Sequence, residues 1–285
     1  MTIDLGLRRQ CFAEEVAAVA NLKTPQLVEA LASLPREKFL RPGPWLVRGE
    51  ADFGGARTTA DSEAQHVYHN YSIAIDAARQ LFNGAPGIVA ASIDALTLAR
   101  GDRVLHVGAG LGYYSGLMAH VVGEPGRVVA VEVDTVLASE ARANLAAVPW
   151  VDVRLGDATE LAGESFDAIL VSAGVTHPQR TWLDALALGG RMILSLTATM
   201  PAMGPLGKGV SAVFTKTGND TFSARVLAMT AIYSGVGLRD EGLNTQLGQA
   251  MMRTPFPRFS SLRTDAHLPS ASCWLHSEEF CLGSN

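Results

Sequence analysis

The run VLHVGAGLGYYSG, Val104 to Gly116, is followed one helix-length later by VVAVEVD, Val128 to Asp134. An apolar, β-branched stretch ends on three spaced glycines, Gly108, Gly110 and Gly112. A helix-like segment follows, and then a second apolar run terminates on an acid, Glu132. That order predicts a strand, a tight turn, a helix and a parallel strand. The turn lets a ligand lie against bare main chain at a helix N-terminus. An acid at the end of the following strand is placed to accept hydrogen bonds from a ribose diol. The expected ligand is therefore a nucleoside-bearing cofactor.

The rest of the chain fits that unit. Strands are expected at 103–107, 127–131, 151–155, 166–171 and 190–196, alternating with helices at 112–122, 135–146 and 178–187. Such alternation implies a doubly wound, mainly parallel α/β sheet. Two further strands, 209–217 and 221–233, flank the turn signal Gly218-Asn219-Asp220 and read as an antiparallel pair completing a seven-stranded sheet. Residues 8–35 have helical spacing, with Thr24-Pro25 as a cap and first-turn pair. Residues 41–65 read as a loop, 76–81 as one or two helical turns, and Pro86 as the opening of another helix. The expected organisation is a helical, substrate-side segment over 1–80, a cofactor-binding domain over 81–240, and a C-terminal extension over 241–285 packed on that domain.

Composition narrows the function. The 285 residues are long enough for a full core, and 48% apolar with 18% charged content is ordinary for a globular enzyme. A net charge of −5 without a basic stripe argues against a nucleic-acid partner. The N-terminus is charged where a signal peptide needs an apolar block, and Met192 to Gly207, broken by Pro201 and Pro205, is too short for a membrane span. Three cysteines, Cys11, Cys273 and Cys281, show no metal-ligand spacing, so no metal is expected and a reduced, cytoplasmic protein is.

The glycines do not complete a dinucleotide fingerprint, since Tyr113 stands where the third glycine should be, and no P-loop GK[ST] follows. The compact GxGxG with Glu132 on the next strand resembles motif I and its partner in class I S-adenosylmethionine-dependent methyltransferases. Leu155-Gly156-Asp157-Ala158, Phe166 to Val171, and Leu188-Gly189-Gly190 through Leu194 are similar to that family's later landmarks. Further segments narrow the likeness. LVEALASLPREKFL (Leu27 to Leu40), FNGAPGIVAASIDAL (Phe82 to Leu96) and the strand pair within Ser211 to Leu238 resemble the protein-L-isoaspartate O-methyltransferases over roughly 25–240.

The resemblance implies S-adenosyl-L-methionine as cofactor and transfer to a peptide or protein carboxylate. It implies a cofactor-binding set of His106, Gly108, Ala109, Gly110, Gly112, Tyr113, Glu132, Val133, Gly156, Asp157, Ala158 and Ser172. There are departures. The family's substrate loop carries Thr-x-Ser-x-Pro, and here Phe82 and Gly84 hold the hydroxyl positions before Pro86. His106 stands where motif I has an acid. Alternatives therefore stand beside isoaspartate: a small-molecule or peptide N- or O-methyltransferase with a His/Tyr-lined acceptor site at His66, Tyr68, His69 and Tyr71, or a non-catalytic cofactor- or partner-binding module. His177 is a further edge-of-sheet candidate, and Trp274 with His276 could cap the pocket.

Overall fold

The computed structural model describes residues 4–49, 55–161, 163–199 and 206–284. Pro201 and Pro205, read as interrupting an apolar stretch, lie outside them. The chain separates into two compact units: residues 1–102 with 109–155, and residues 103–108 with 156–285.

The first unit opens with helices α1 (Leu5–Ala20) and α2 (Pro25–Ser33), and a 3₁₀ turn follows at Arg36–Phe39. Asp4 caps α1 by accepting from the amides of Gly6 and Leu7. Thr24 occupies the cap position of α2 as expected, but its side chain makes no capping bond. Asp94 instead anchors the chain entering the helix, with Oδ1 accepting from the Thr24 amide at 2.8 Å and the Lys23 amide at 3.0 Å. Asp94 lies in α3 (Pro86–Ala95), which begins at Pro86 as the sequence predicts.

The segment expected as a 41–65 loop contains two short strands, β1 (Leu46–Arg48) and β2 (Arg57–Thr58). With β3 (Ser72–Asp76) and β4 (Leu81–Phe82) they form a small sheet of order β2-β1-β3-β4. The helical turns expected over 76–81 are replaced by the β3–β4 turn. Gln80 sits there at φ +54°, a left-handed conformation no helix continues through. Arg79 fixes that turn by donating to Asp76 at 2.7 Å and to Asp134 at 2.6 Å.

Strands β6 (Arg127–Glu132) and β7 (Val151–Leu155) pair in parallel, and helices α4 (Tyr113–Val122) and α5 (Thr135–Asn144) belong to the same unit. Val128 to Val131 are all buried, as a central parallel strand requires. Each such Val removed from water contributes about 1.5–3 kcal/mol.

In the second unit β5 (Arg103–Val107) and β8 (Phe166–Val175) pair in parallel, as do β8 and β9 (Leu186–Thr199). The helix α6 between β8 and β9 is shorter than expected (Arg180–Ala185), and the strand starts at Leu186. β10 (Leu206–Lys216) and β11 (Thr221–Tyr233) form the expected antiparallel pair. β5 to β11 are thus the seven strands read from the sequence.

The tail differs from expectation. It carries a helix, α7 (Glu241–Arg253), and three strands, β12 (Ser261–Arg263), β13 (Cys273–His276) and β14 (Cys281–Gly283). These strands do not lie over the sheet; they extend its edge in the order β13-β14-β12-β11-β10-β9-β8-β5. Strands of only three and four residues leave too few alternations for a period to show in sequence. Among the described residues no helix is long and apolar enough to cross a membrane.

Candidate active site

The glycine turn has the geometry its sequence implies. Gly110 and Gly112 hold φ of +57° and +91°, and Gly112 is the N-terminal cap of α4. A Cβ on Gly112 would lie 2.7 Å from Leu145 Cδ1, so this glycine serves both the turn and the approach of α5. The Gly112 amide donates to Ala109 O at 3.0 Å, and the Ala109 amide to Val131 O at 3.2 Å. The turn is thereby closed on itself and tied to β6.

Glu132 ends β6 with 7% of its surface exposed. Its Oε2 accepts from the Gly110 amide at 2.8 Å and its Oε1 from the Asp134 amide at 3.0 Å. The carboxylate therefore braces the turn against the start of α5, which Asp134 caps through the amides of Val136 and Leu137. Each carboxylate oxygen has a second lone pair, so capacity remains for a diol. Beside it Val133 is 52% exposed, an apolar surface at the carboxyl end of the strand. A bare main-chain turn, a fixed acid and an exposed valine suit an adenosyl group carrying a ribose diol.

Tyr113, expected at the cofactor, is a core residue. Its ring packs edge-on against Phe39 at 5.5 Å and Tyr114 at 5.3 Å, and the Arg36 guanidinium lies 5.8 Å from its centroid. Burial pushes its phenol pKa well up. Aromatic residues at a helix start look alike in sequence whether they face a ligand or the core.

The second unit holds the other expected cofactor residues. His106 is 1% exposed in β5 and its Nε2 shares a 2.9 Å hydrogen bond with Ser172 Oγ. Burial pulls its pKa down to about 4, so the ring is neutral at pH 7. Gly108 takes φ +77°, and a Cβ there would stand 3.5 Å from Ser172 O. Gly156 has φ +152°. Asp157 is exposed, its Oδ1 accepting from the amide and hydroxyl of Thr159 at 2.8 and 2.9 Å. Ala158 is buried, and its carbonyl accepts from Trp182 Nε1 at 2.8 Å.

The acceptor candidates divide. His66, His69 and Tyr71 line a cleft of about 410 Å³ in the first unit, together with Glu15, Arg57 and Thr58. His66 Nε2 is 2.9 Å from Asp61 Oδ1. Burial lowers the His69 pKa, and its ring lies 5.5 Å from that of Tyr71, whose hydroxyl donates to His66 O. Tyr68 is excluded from the set: it is 4% exposed, packs edge-on to Phe12 at 5.8 Å and donates to Glu37. Its phenol is pushed up to about 12, chiefly by burial.

Arg36, within the Leu27 to Leu40 segment, is not among the residues the sequence marks for the site. It is fully buried, with Nη1 donating to Val67 O at 2.7 Å and His69 O at 3.1 Å, and Nη2 to Tyr71 O at 3.0 Å. One guanidinium thus shapes the whole 66–71 segment.

His177 is locked between neighbours. Its Nδ1 lies 2.9 Å from Thr176 Oγ1 and its Nε2 3.1 Å from Gln179 Nε2. Trp274 stacks 5.3 Å from Phe259, which in turn stacks on Phe214. The cysteines match no ligand spacing in sequence, but the fold brings Cys273 and Cys281 into a cluster with His267 and His276.

A Rossmann-like α/β sheet whose glycine turn is braced by the acid of the next strand defines an S-adenosylmethionine-dependent methyltransferase, and this chain is one. Residues 57–230 match the family described as protein-L-isoaspartate(D-aspartate) O-methyltransferase (PCMT), and the chain belongs to that family. It is 33% identical to protein-L-isoaspartate O-methyltransferase 1 of Rhodopseudomonas palustris over 68% of this chain and 71% of the relative. It is 31% identical to the protein-L-isoaspartate O-methyltransferase of Methylorubrum extorquens over 83% of this chain and 93% of the relative. A solved structure from Plasmodium falciparum, described as a PCMT in complex with S-adenosyl-L-homocysteine, superposes with a TM-score of 0.60. It is 17% identical and covers 79% of this chain and 97% of its own.

Proposed function

We propose that this methyltransferase esterifies a carboxylate on a peptide or protein, bound in the cleft that His66, His69 and Tyr71 line. S-Adenosylmethionine supplies a methyl group on a sulfonium, taken by the acceptor in an in-line displacement that leaves the thioether. The glycine turn would support the methionine part, Glu132 would accept from the ribose hydroxyls, and Val133 would lie against adenine. Asp157 is assigned the adenine amino group from its position just after β7. His106, held neutral by burial and sharing a hydrogen bond with Ser172, is assigned to cofactor binding.

A carboxylate is already ionised at neutral pH, so no catalytic base is needed. What the protein must provide is alignment and exclusion of water. Arg57 in the cleft wall offers a charge-assisted bond to an acceptor carboxylate, and Glu15 on the same cleft can accept from a peptide amide. The observation that carries this reading is Arg36. Its guanidinium holds the main chain of the cleft segment at Val67, His69 and Tyr71. It also lies against the ring of Tyr113, the residue that follows the glycine turn. One side chain thus supports both the cleft segment and the start of α4.

The test is transfer from labelled S-adenosylmethionine to isoaspartyl, aspartyl and C-terminal carboxylate peptides. A base-labile label released as methanol is expected, as an ester gives. A label stable to base would assign nitrogen or an ether oxygen as acceptor and overturn the reading.

A further inference from the structure

Outside the matched span of residues 57–230, the tail strands gather a second set of chemical groups. His267, Cys273, His276 and Cys281 bring one donor atom each to within 4.8 Å of one another. The local structure explains how groups so spaced in sequence meet. β13 and β14 are antiparallel with His276 opposite Cys281, and the connection between them is closed by the Ser277 amide donating to Phe280 O at 2.9 Å. β14 is flanked on its other side by β12, where Arg263 stands opposite Cys281. The chain leaving β12 then returns His267 to the same place.

The histidine nitrogens are the informative atoms. His267 Nδ1 is 2.8 Å from Asp265 O, and a carbonyl can only accept, so Nδ1 carries the proton. That leaves Nε2 with its lone pair, buried and facing Cys273. His276 Nδ1 is buried without a hydrogen-bond partner. Leaving a buried polar atom unpartnered is costly, and such an atom beside two thiols and a second imidazole calls for a common partner. A histidine oriented by a backbone carbonyl is the usual arrangement of a metal ligand. Cys273 Sγ additionally accepts from the Ser270 amide at 3.3 Å and from Cys281 Sγ at 3.0 Å, so the two sulfurs face one another.

We propose that His267, Cys273, His276 and Cys281 bind one zinc(II) ion in a closed, tetrahedral site. Two sulfurs and two imidazole nitrogens are a donor set that selects zinc, at roughly 2.3 Å from sulfur and 2.0–2.1 Å from nitrogen. On binding, each thiol releases its proton, both imidazoles stay neutral, and the two thiolates balance the charge of the ion. With four protein ligands there is no open position for water, so the ion is structural, not catalytic. Its place in the fold gives it work: β12, β13 and β14 are three, four and three residues long. Strands this short bury little, and a metal cross-link supplies what their core does not.

The full-length protein, purified under reducing conditions without chelator, is assayed for metal content and for cobalt(II) substitution. About one zinc per chain is expected. Cobalt should give intense visible bands with thiolate charge transfer in the near ultraviolet. Cys273→Ser and His267→Gln should each cut retained zinc at least tenfold, whereas Cys11→Ser leaves it unchanged. Circular dichroism confirms that the variants fold, and chelation of the wild type should lower its Tm by several degrees. Four results would overturn the site: wild type without zinc; zinc that survives Cys273→Ser; cobalt spectra lacking thiolate bands; or a Cys273–Cys281 disulfide in reduced preparations.

Discussion

Tyr114 Oη donates to the carbonyl oxygen of Gly84 at 2.9 Å, joining the first turn of α4 to the loop in which the family carries its hydroxyl pair. The loop is held through a main-chain carbonyl and not through a side chain at 84. Gly84 has φ +79°, and a Cβ there would stand 2.9 Å from Val89 Cγ2. Phe82 is likewise committed, being buried with the Arg48 guanidinium 4.3 Å above its ring. Restoring the family's serine therefore introduces strain. Gly84→Ser is expected to cost about 1–3 kcal/mol of stability, seen in urea unfolding, without raising transfer to isoaspartyl peptide. A stable variant with faster transfer would show that the lost hydroxyl is the limiting feature.

Arg36 offers a sharper test of the cleft. Arg36→Met keeps much of the packing over Phe12 and Tyr113 but leaves three carbonyls without their donor. A loss of about 1–3 kcal/mol is expected for leaving buried carbonyls without their donor. Hydrogen exchange should rise in residues 66–71 more than in β6. Uniform exchange across the unit would mean that Arg36 supports the fold and not the cleft in particular.

Truncating Arg57 should act on the acceptor alone. Arg57→Ala is expected to raise KM for a carboxylate peptide roughly tenfold, equivalent to about 1.4 kcal/mol, with cofactor affinity unchanged. Steady-state kinetics with saturating S-adenosylmethionine reads this directly. An unchanged KM would place acceptor recognition elsewhere.

His106 makes stability depend on pH. Its folded pKa of about 4 lies below the unfolded value near 6.5, so the unfolded chain binds the extra proton between these limits. The contribution is complete above pH 6.5 and is lost as pH falls towards 4, amounting to roughly 3 kcal/mol. Unfolding free energies at pH 7.5, 6 and 5 should fall more steeply for wild type than for His106→Gln. Equal slopes would show that the ring is not buried neutral.

Sequence carried the parts of this molecule whose function and local conformation coincide. Gly112 must be glycine for its φ, for α5 to approach and for the turn to stay bare, and all three needs leave the same letter. Glu132 was legible because strand periodicity places it at the end of β6. Tyr68 and Tyr71 could not be separated, because three residues along an irregular segment say nothing about which ring meets Phe12 and which meets the cleft. Arg36 looked like a surface arginine beside Glu37 and Lys38, since its partners are backbone carbonyls that bear no side-chain signature. The tail cluster was hidden for another reason. His267, Cys273, His276 and Cys281 match no short ligand repeat, and pairing of β12, β13 and β14 brings them together.

The central claim is that Glu132, fixed by the amides of Gly110 and Asp134, grips the ribose of S-adenosylmethionine. Calorimetric titration of wild type and Glu132→Ala with the cofactor product and with its ribose-deoxygenated analogue tests it as a double-mutant cycle. The expected result is that Glu132→Ala weakens the natural ligand by about 1–3 kcal/mol, and that removing the hydroxyls then costs little more. Additive losses, with removal of the hydroxyls costing as much in Glu132→Ala as in wild type, or a wild-type protein that binds neither ligand, would contradict it.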